Sequence, residues 1–156
     1  MDNLIPQTRN AVRALIVRDG KILLQHKLGG HQPERYTLPG GAPEVGESLL
    51  QGVERECLEE IGAQVQVGDL VWVADFFKHR QTEPPTIRHQ VEFLFECQVD
   101  PGYEAKNGPH PDRNQVDVLW VALDQLHAIP IFPPTMRTLL PRLLADRGHT
   151  YQGVME

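Results

Sequence analysis

Residues 41–63 read GAPEVGESLLQGVERECLEEIGA, a tight glycine loop running into one helix that carries a cluster of carboxylates. Glu47 and Ser48 precede the first apolar-periodic residue, and Gly62 stands where a C-terminal cap is expected. Leu49, Val53, Cys57 and Ile61 recur every fourth position with Leu50 beside them, so one helix face is predicted to be buried. Glu56, Glu59 and Glu60 fall at i, i+3 and i+4, on a neighbouring arc of the same helix. Gly52 lies one turn before Glu56 and leaves room above the acids. Like charges at this spacing destabilise a helix by about 0.2–0.5 kcal/mol per pair. Between residues 42 and 77 Arg55 is the only cation among eight acids. Hard dications are held by a few carboxylates together with carbonyl oxygens, waters and substrate phosphates. The arc is therefore a candidate Mg²⁺ or Mn²⁺ site, and the alternative is a solvated acidic face.

The spacing decides between the two. Gly41, Glu47, Arg55-Glu56, Glu59-Glu60 and Gly62 resemble the box of the Nudix hydrolases, Gly-x5-Glu-x7-Arg-Glu-U-x-Glu-Glu-x-Gly-U with U apolar. All seven fixed residues are present, and Cys57 and Ala63 fill the apolar positions. Leu38-Pro39-Gly40, just before the box, is similar to the family as well. The resemblance implies an α/β fold, the Nudix-type α/β/α sandwich with a mixed β-sheet between helices. It implies hydrolysis of a diphosphate linkage in a nucleoside diphosphate derivative. It also implies a metal shell of Glu56, Glu59, Glu60 and the Gly40 carbonyl, with Glu56 and Glu60 holding the principal ion. In that scheme Glu59 or Glu56 orients or deprotonates the attacking water, and Arg55 holds a box glutamate, Glu47 or Glu59. A further acid often completes the shell in such proteins. Gln115 stands where the family often has a glutamate, which leaves Glu104, Asp112 and Asp117 as candidates. Many relatives are dimers, so a homodimer is an expectation by analogy.

Composition agrees with one domain. A chain of 156 residues with 40 % hydrophobic and 23 % charged residues can bury a proper core. The expected layout is a flexible end over residues 1–7, a single domain over 8–147 and a tail over 148–156. A net charge of −6 argues against a nucleic-acid polymer as main partner. An acidic protein that acts on phosphates needs metal to bridge the like charges. No apolar run approaches the ~18 residues of a membrane span, and no signal-type segment opens the chain, so a cytoplasmic protein with no membrane partner is expected. Cys57 and Cys97 read as small core residues in a reducing compartment.

The remaining segments read mainly as strands. Residues 10–17 and 21–27 form a hairpin about Asp19-Gly20. A Gly/Pro loop over 28–35 leads to a short strand at 36–38 and to Gly40-Gly41, where adjacent glycines let a carbonyl approach a ligand. Residues 64–67 read as a strand, and 70–77 with 87–99 as a hairpin around a mobile tip. His89, Val91, Phe93, Phe95 and Cys97 alternate with polar or outward positions. Residues 100–115 are a long polar loop of the kind that often carries function. A strand at 116–121, a helical turn at 123–126 and a C-terminal helix from Pro134 follow. Met136, Leu139, Leu140, Leu143 and Leu144 form the stripe of that helix, and Pro141 predicts a kink or restart within it.

The substrate, a small-molecule nucleotide, is narrowed only by elimination. Downstream marks of the ADP-ribose, diadenosine polyphosphate and NADH subfamilies and the upstream mark of the coenzyme A subfamily are not visible. That leaves a nucleoside or deoxynucleoside triphosphate as the lead, with ADP-ribose or a nucleotide sugar as the alternative. Phe76, Phe77 and Tyr36 are candidates to stack a base, and Lys27, Arg35 and Arg88 to meet phosphates. A nucleotide-binding sensor without turnover is the reading from another class, and the intact set of repelling acids speaks against it.

Overall fold

The computed structural model describes residues 2–156. Strands β1 (Arg9–Arg18) and β2 (Lys21–Lys27) form the first hairpin. They are followed by β3 (Arg35–Thr37), β4 (Gly40–Gly41) and helix α1 (Leu49–Ile61). A long hairpin of β5 (Gln66–Arg80) and β6 (Thr86–Gln98) comes next. Then come β7 (Gln115–Ala122), a 3₁₀ turn (Leu123–Ala128), α2 (Met136–Ala145) and β8 (Tyr151–Met155). Among the described residues the strands make one eight-stranded mixed sheet, ordered β3-β2-β1-β6-β5-β8, with β4 on β1 and β7 on β2.

Alternation along β1 builds two cores. Val12, Ala14 and Ile16 point to one face and pack with Val53, Cys57 and Ile61 of α1. Leu15 points to the other and joins Trp72, Leu94 and the α2 residues Met136, Leu139, Leu140 and Leu143. The sheet thus lies between the two helices, as the α/β/α expectation requires. Both cysteines are free and buried.

The hairpin pairing of β1 with β2 is confined to Val17–Ile22 and Arg18–Lys21. Beyond it, β1 runs parallel to β6 from Arg9 to Ile16, while Val12 and Arg13 pair with Gly41 and Gly40. The two strands part, and the glycines of β4 enter where they part. This local split positions the site described below.

Helix α1 starts and ends as its sequence dictates. The Ser48 hydroxyl accepts from the Gln51 N–H at 3.2 Å, and the Gln51 side chain accepts from the Ser48 N–H at 2.8 Å, a reciprocal capping box. Gly62 takes the left-handed conformation at φ 63° and ends the helix. Ser48→Ala is expected to lower stability by about 1 kcal/mol. Urea unfolding checks this as a lower midpoint at unchanged slope.

Several expectations need correction. Of the expected loose end over residues 1–7, Met1 lies outside the described residues, and residues 2–7 are not loose throughout. Ile87 donates to the Asn3 carbonyl at 2.9 Å and Ile5 donates to that of Ile87 at 2.8 Å, which extends the sheet by one bridge. Residues 148–156 are not a plain tail, because β8 pairs parallel with β5. The short strand at 64–67 and that at 70–77 are one bulged strand, β5. Leu50 and Leu144 are exposed rather than part of the buried stripes. Helix α2 continues through Pro141 without a restart. That proline, the sixth of the ten helix residues, lies on the exposed side, and its missing N–H removes only the bond to the Arg137 carbonyl.

Candidate active site

The box acids are gathered by Arg55. Its Nε and Nη2 donate to both oxygens of Glu47 at 2.6 and 3.1 Å. Nη1 donates to Glu56 and to Glu59, each at 3.2 Å, and Nη2 donates to the Ala42 carbonyl at 3.1 Å. The guanidinium fork thus relieves the repulsion along the helix arc and ties it to the loop before it. The bond to Glu47 holds Arg55 above its ordinary pKa and Glu47 below its own.

Glu60 takes a different path. It is 4 % exposed, and one of its oxygens accepts from the Gly40 N–H at 3.1 Å and from the Gln25 side chain. The Thr37 hydroxyl in turn donates to Gln25 at 3.2 Å. Burial, reinforced by Glu56 and Asp112, pushes the Glu60 carboxyl up to about 8 against those hydrogen bonds. A buried carboxylate with two carboxylate neighbours calls for a cation.

The Gly40 carbonyl accepts from Arg13 Nη1 at 3.0 Å, and Arg13 Nε donates to Glu92 at 3.0 Å. Glu92 is 2 % exposed and also accepts from Gln90. The carbonyl is thereby oriented from the floor of the sheet. Gly41 leaves space that the Glu56 carboxylate fills, since a Cβ there would lie 2.4 Å from Glu56 Oε1. Glu56, Glu60 and the Gly40 carbonyl are hard oxygen donors on the wall of one cleft of about 550 Å³. That donor chemistry fits a divalent cation.

Not every predicted site residue reaches the cleft. Gly40, Glu56 and Glu60 line it, as do Lys27, Arg35, Phe76 and Arg88. Glu47 and Glu59 do not line it and are turned onto Arg55. Among the described residues no three His, Cys, Asp or Glu side chains converge as a ready ligand set. Tyr36 lies off the cleft, stacked on His26 at 4.6 Å between ring centroids, and Phe77 stacks on His89. Of the three further candidate acids, Glu104, Asp112 and Asp117, only Asp112 lines the cleft, with an oxygen 2.5 Å from Lys27 Nζ. Burial raises the Asp112 carboxyl, but Lys27, the Arg113 N–H and Arg13 together outweigh it and the net shift is downward.

Gln115 replaces an expected acid with a brace. Its amide donates to the Glu60 carbonyl at 2.8 Å, while Gly108 N–H and His110 N–H donate to the carbonyls of Glu60 and Glu59. The Tyr103 hydroxyl donates to the Ile61 carbonyl at 2.7 Å. The long loop therefore satisfies the last carbonyls of α1, groups that a helix end otherwise leaves without partners.

The cleft also holds groups that the motif does not announce. Eight of the fifteen Lys and Arg residues line it, in a chain of net charge −6. They sit largely on one sheet face. Arg9, Ala11 and Arg13 of β1 share that face with Phe76, Lys78 and Arg80 of β5 and with Arg88, Gln90 and Glu92 of β6. Each set is spaced by two, the strand period, and that spacing is the signal in the sequence. Burial, then repulsion from Arg13 and Lys27, lowers the Lys78 ammonium to about 8.

A family model described as NUDIX domain matches residues 7–143. The chain is 34 % identical over 142 residues to the NAD-capped RNA hydrolase NudC of Pectobacterium carotovorum, a match covering 90 % of this chain and 47 % of that protein. It spans about half the length of the curated NudC relatives it matches. A NUDIX hydrolase structure from Nitrosomonas europaea superposes with a TM-score of 0.69 at 24 % identity, covering 90 % of this chain and 91 % of that one. An ADP-ribose pyrophosphatase structure from Streptococcus suis gives 0.61 at 26 % identity, covering 94 % and 97 %. With the box, the α/β/α sheet and the carboxylate cleft in place, the family match over most of its length makes this chain a member of the Nudix hydrolases.

Proposed function

We propose that the chain hydrolyses the phosphoanhydride of a nucleoside diphosphate derivative, with Mg²⁺ or Mn²⁺ held by Glu56, Glu60 and the Gly40 carbonyl. The carrying observation is that these three donors open into the same cleft as Lys27, Arg13 and Lys78. When bound, the dication neutralises phosphate charge and activates water for attack on phosphorus.

The chain's own groups divide the remaining work. Arg13 holds the Gly40 carbonyl in place, and Glu92 holds Arg13. Lys27 meets the phosphate oxygens beside the box, and Lys78, paired with Arg88, stands further out on the floor. Glu56 faces the cleft and orients the attacking water or takes its proton, whereas Glu59 supports it through Arg55. Glu47 serves the same purpose from the loop, by fixing the guanidinium that fixes Glu56. Phe76, packed edge-on to Phe132 at 5.7 Å, gives the cleft an apolar wall for a base or sugar. Arg35 reaches the rim beside Lys27.

Two substrate classes are in play. The NudC and ADP-ribose pyrophosphatase names of similar proteins favour a diphosphate that joins a nucleoside to a second group. The length of the cationic floor supports that reading too. A nucleoside triphosphate is the second reading, favoured by the missing subfamily marks. Product release from NAD, ADP-ribose, a nucleotide sugar and nucleoside triphosphates, with and without Mg²⁺, tests both. Metal-dependent cleavage of the joined diphosphates is the expected result. Preferential triphosphate cleavage would favour the second reading, and tight binding without turnover would reduce the protein to a sensor.

A further inference from the structure

The outer end of the cationic floor carries charge that the scissile diphosphate does not need. Arg88 lies diagonally across the strand pairs from both Arg80 and Arg9, because Arg80 is paired with Thr86 and Arg9 with Gln90. Diagonal neighbours of this kind stand roughly 7–8 Å apart, within reach of long side chains. All three line the cleft, and among the described residues none of them is paired with a carboxylate. Arg13 and Lys27, deeper in, are so paired. Burial and then repulsion from Arg80 and Arg9 hold the Arg88 guanidinium below its ordinary pKa. Three guanidiniums converging without acids form an anion site, and their planar forks suit phosphate oxygens.

Register gives the distance from the chemistry. Gly40 is paired with Arg13, and Arg9 lies four residues before Arg13 on the same strand. At about 3.3 Å per residue this is roughly 13 Å along β1, more than a diphosphate spans. A group bound there is separated from the cleaved anhydride by a nucleoside or similar spacer.

Resting on the reading of the cleft given above, we propose that Arg9, Arg80 and Arg88 form a second phosphate subsite, which recognises a phosphate on the ribose of the substrate. That phosphate is either a 3′-monoester on a small dinucleotide-like compound or the first phosphodiester of a 5′-capped oligoribonucleotide. The chemistry is shared, and matched pairs of compounds separate the sources. Coenzyme A and 3′-dephospho-coenzyme A differ only by the monoester. An NAD-capped tetraribonucleotide and free NAD differ by the attached chain.

The experiment measures kcat/KM and, by titration calorimetry, Kd for both pairs, on the parent and on the double variant Arg9→Gln, Arg80→Gln. The parent is expected to favour the phosphate-bearing member of at least one pair by tenfold or more, chiefly in KM and Kd. Added salt should shrink that preference. The double variant should lose it while handling the phosphate-free member within about twofold. A preference confined to coenzyme A assigns the monoester, and one confined to the capped oligonucleotide assigns the diester. Equal treatment of both pairs by the parent, or a preference retained in the variant, overturns the proposal. Calorimetry keeps the test separate from the proposed activity, since a preference in Kd is read whether or not turnover occurs.

Discussion

Glu60→Gln is expected to lower Mg²⁺-dependent kcat/KM by roughly 10²–10³-fold or more, the scale on which loss of one preorganised electrostatic group is felt. The same change should stabilise the metal-free protein above neutrality. The Glu60 carboxyl titrates near about 8 in the folded chain, whereas an unperturbed glutamate titrates near about 4.3. The folded state therefore binds this proton more tightly. Its contribution to stability is fully present below about 4.3 and is lost as pH rises through the folded value. The separation of the two values corresponds to a few kcal/mol at the alkaline end. Glutamine keeps an oxygen that can accept from Gly40 and Gln25 but carries no charge to bury. Thermal melts in EDTA should nearly coincide at pH 4 and below and separate progressively up to pH 8 and above, with the variant higher. Mg²⁺ should narrow the gap by stabilising only the parent. A parent whose metal-free stability relative to the variant does not change with pH would show that Glu60 is not a proton-holding buried acid.

Gly40→Ala should be the more damaging change to the fold. Gly40 has φ +143°, and a Cβ on it would lie 1.9 Å from the Val12 carbonyl oxygen and 2.9 Å from the Arg13 Cα. Both neighbours are backbone of the central strand, so no side chain can swing aside. Overpacking of a rigid site typically costs about 1–3 kcal/mol, and a non-glycine residue in such a backbone region adds about 1–3 kcal/mol. Gly46 is the control. Its φ is +95°, and nothing lies within 4 Å of its Cβ position, so Gly46→Ala should show the backbone part alone. Urea unfolding of the two variants separates the terms. Equal losses would mean that β1 gives way at Val12.

Much of the site could be read before the structure because its signals are local. The Ser48 cap, the Gly62 stop and the four-residue recurrence of Val53, Cys57 and Ile61 all lie within one helix, and that helix forms as read. The hairpin at Asp19-Gly20 is local in the same sense. What was missed depends on register between distant strands. Arg13, Lys78 and Arg80 are ordinary scattered cations until β1, β6 and β5 are laid side by side, when their common parity puts them on one floor. Gln115 illustrates another limit. Its sequence position suggested a lost metal ligand, but its role is set by the carbonyls at the end of α1 that it reaches. Tyr36 had the right chemistry for a base stack and the wrong face, since its partner is His26. The C-terminal strand carried too few apolar residues for its pairing to be seen.

That last strand has a consequence for how the molecule behaves in company. β5 is the longest strand, and β8 occupies the side of it that β6 leaves open. Glu156 is also fastened to Thr135, through its N–H and its carbonyl oxygen, at the start of α2. Uncovered sheet margins recruit strands from other molecules. Five residues that read as an appendage thus act as a guard against unwanted self-association at the sheet margin, alongside the strand whose Phe76 lines the cleft.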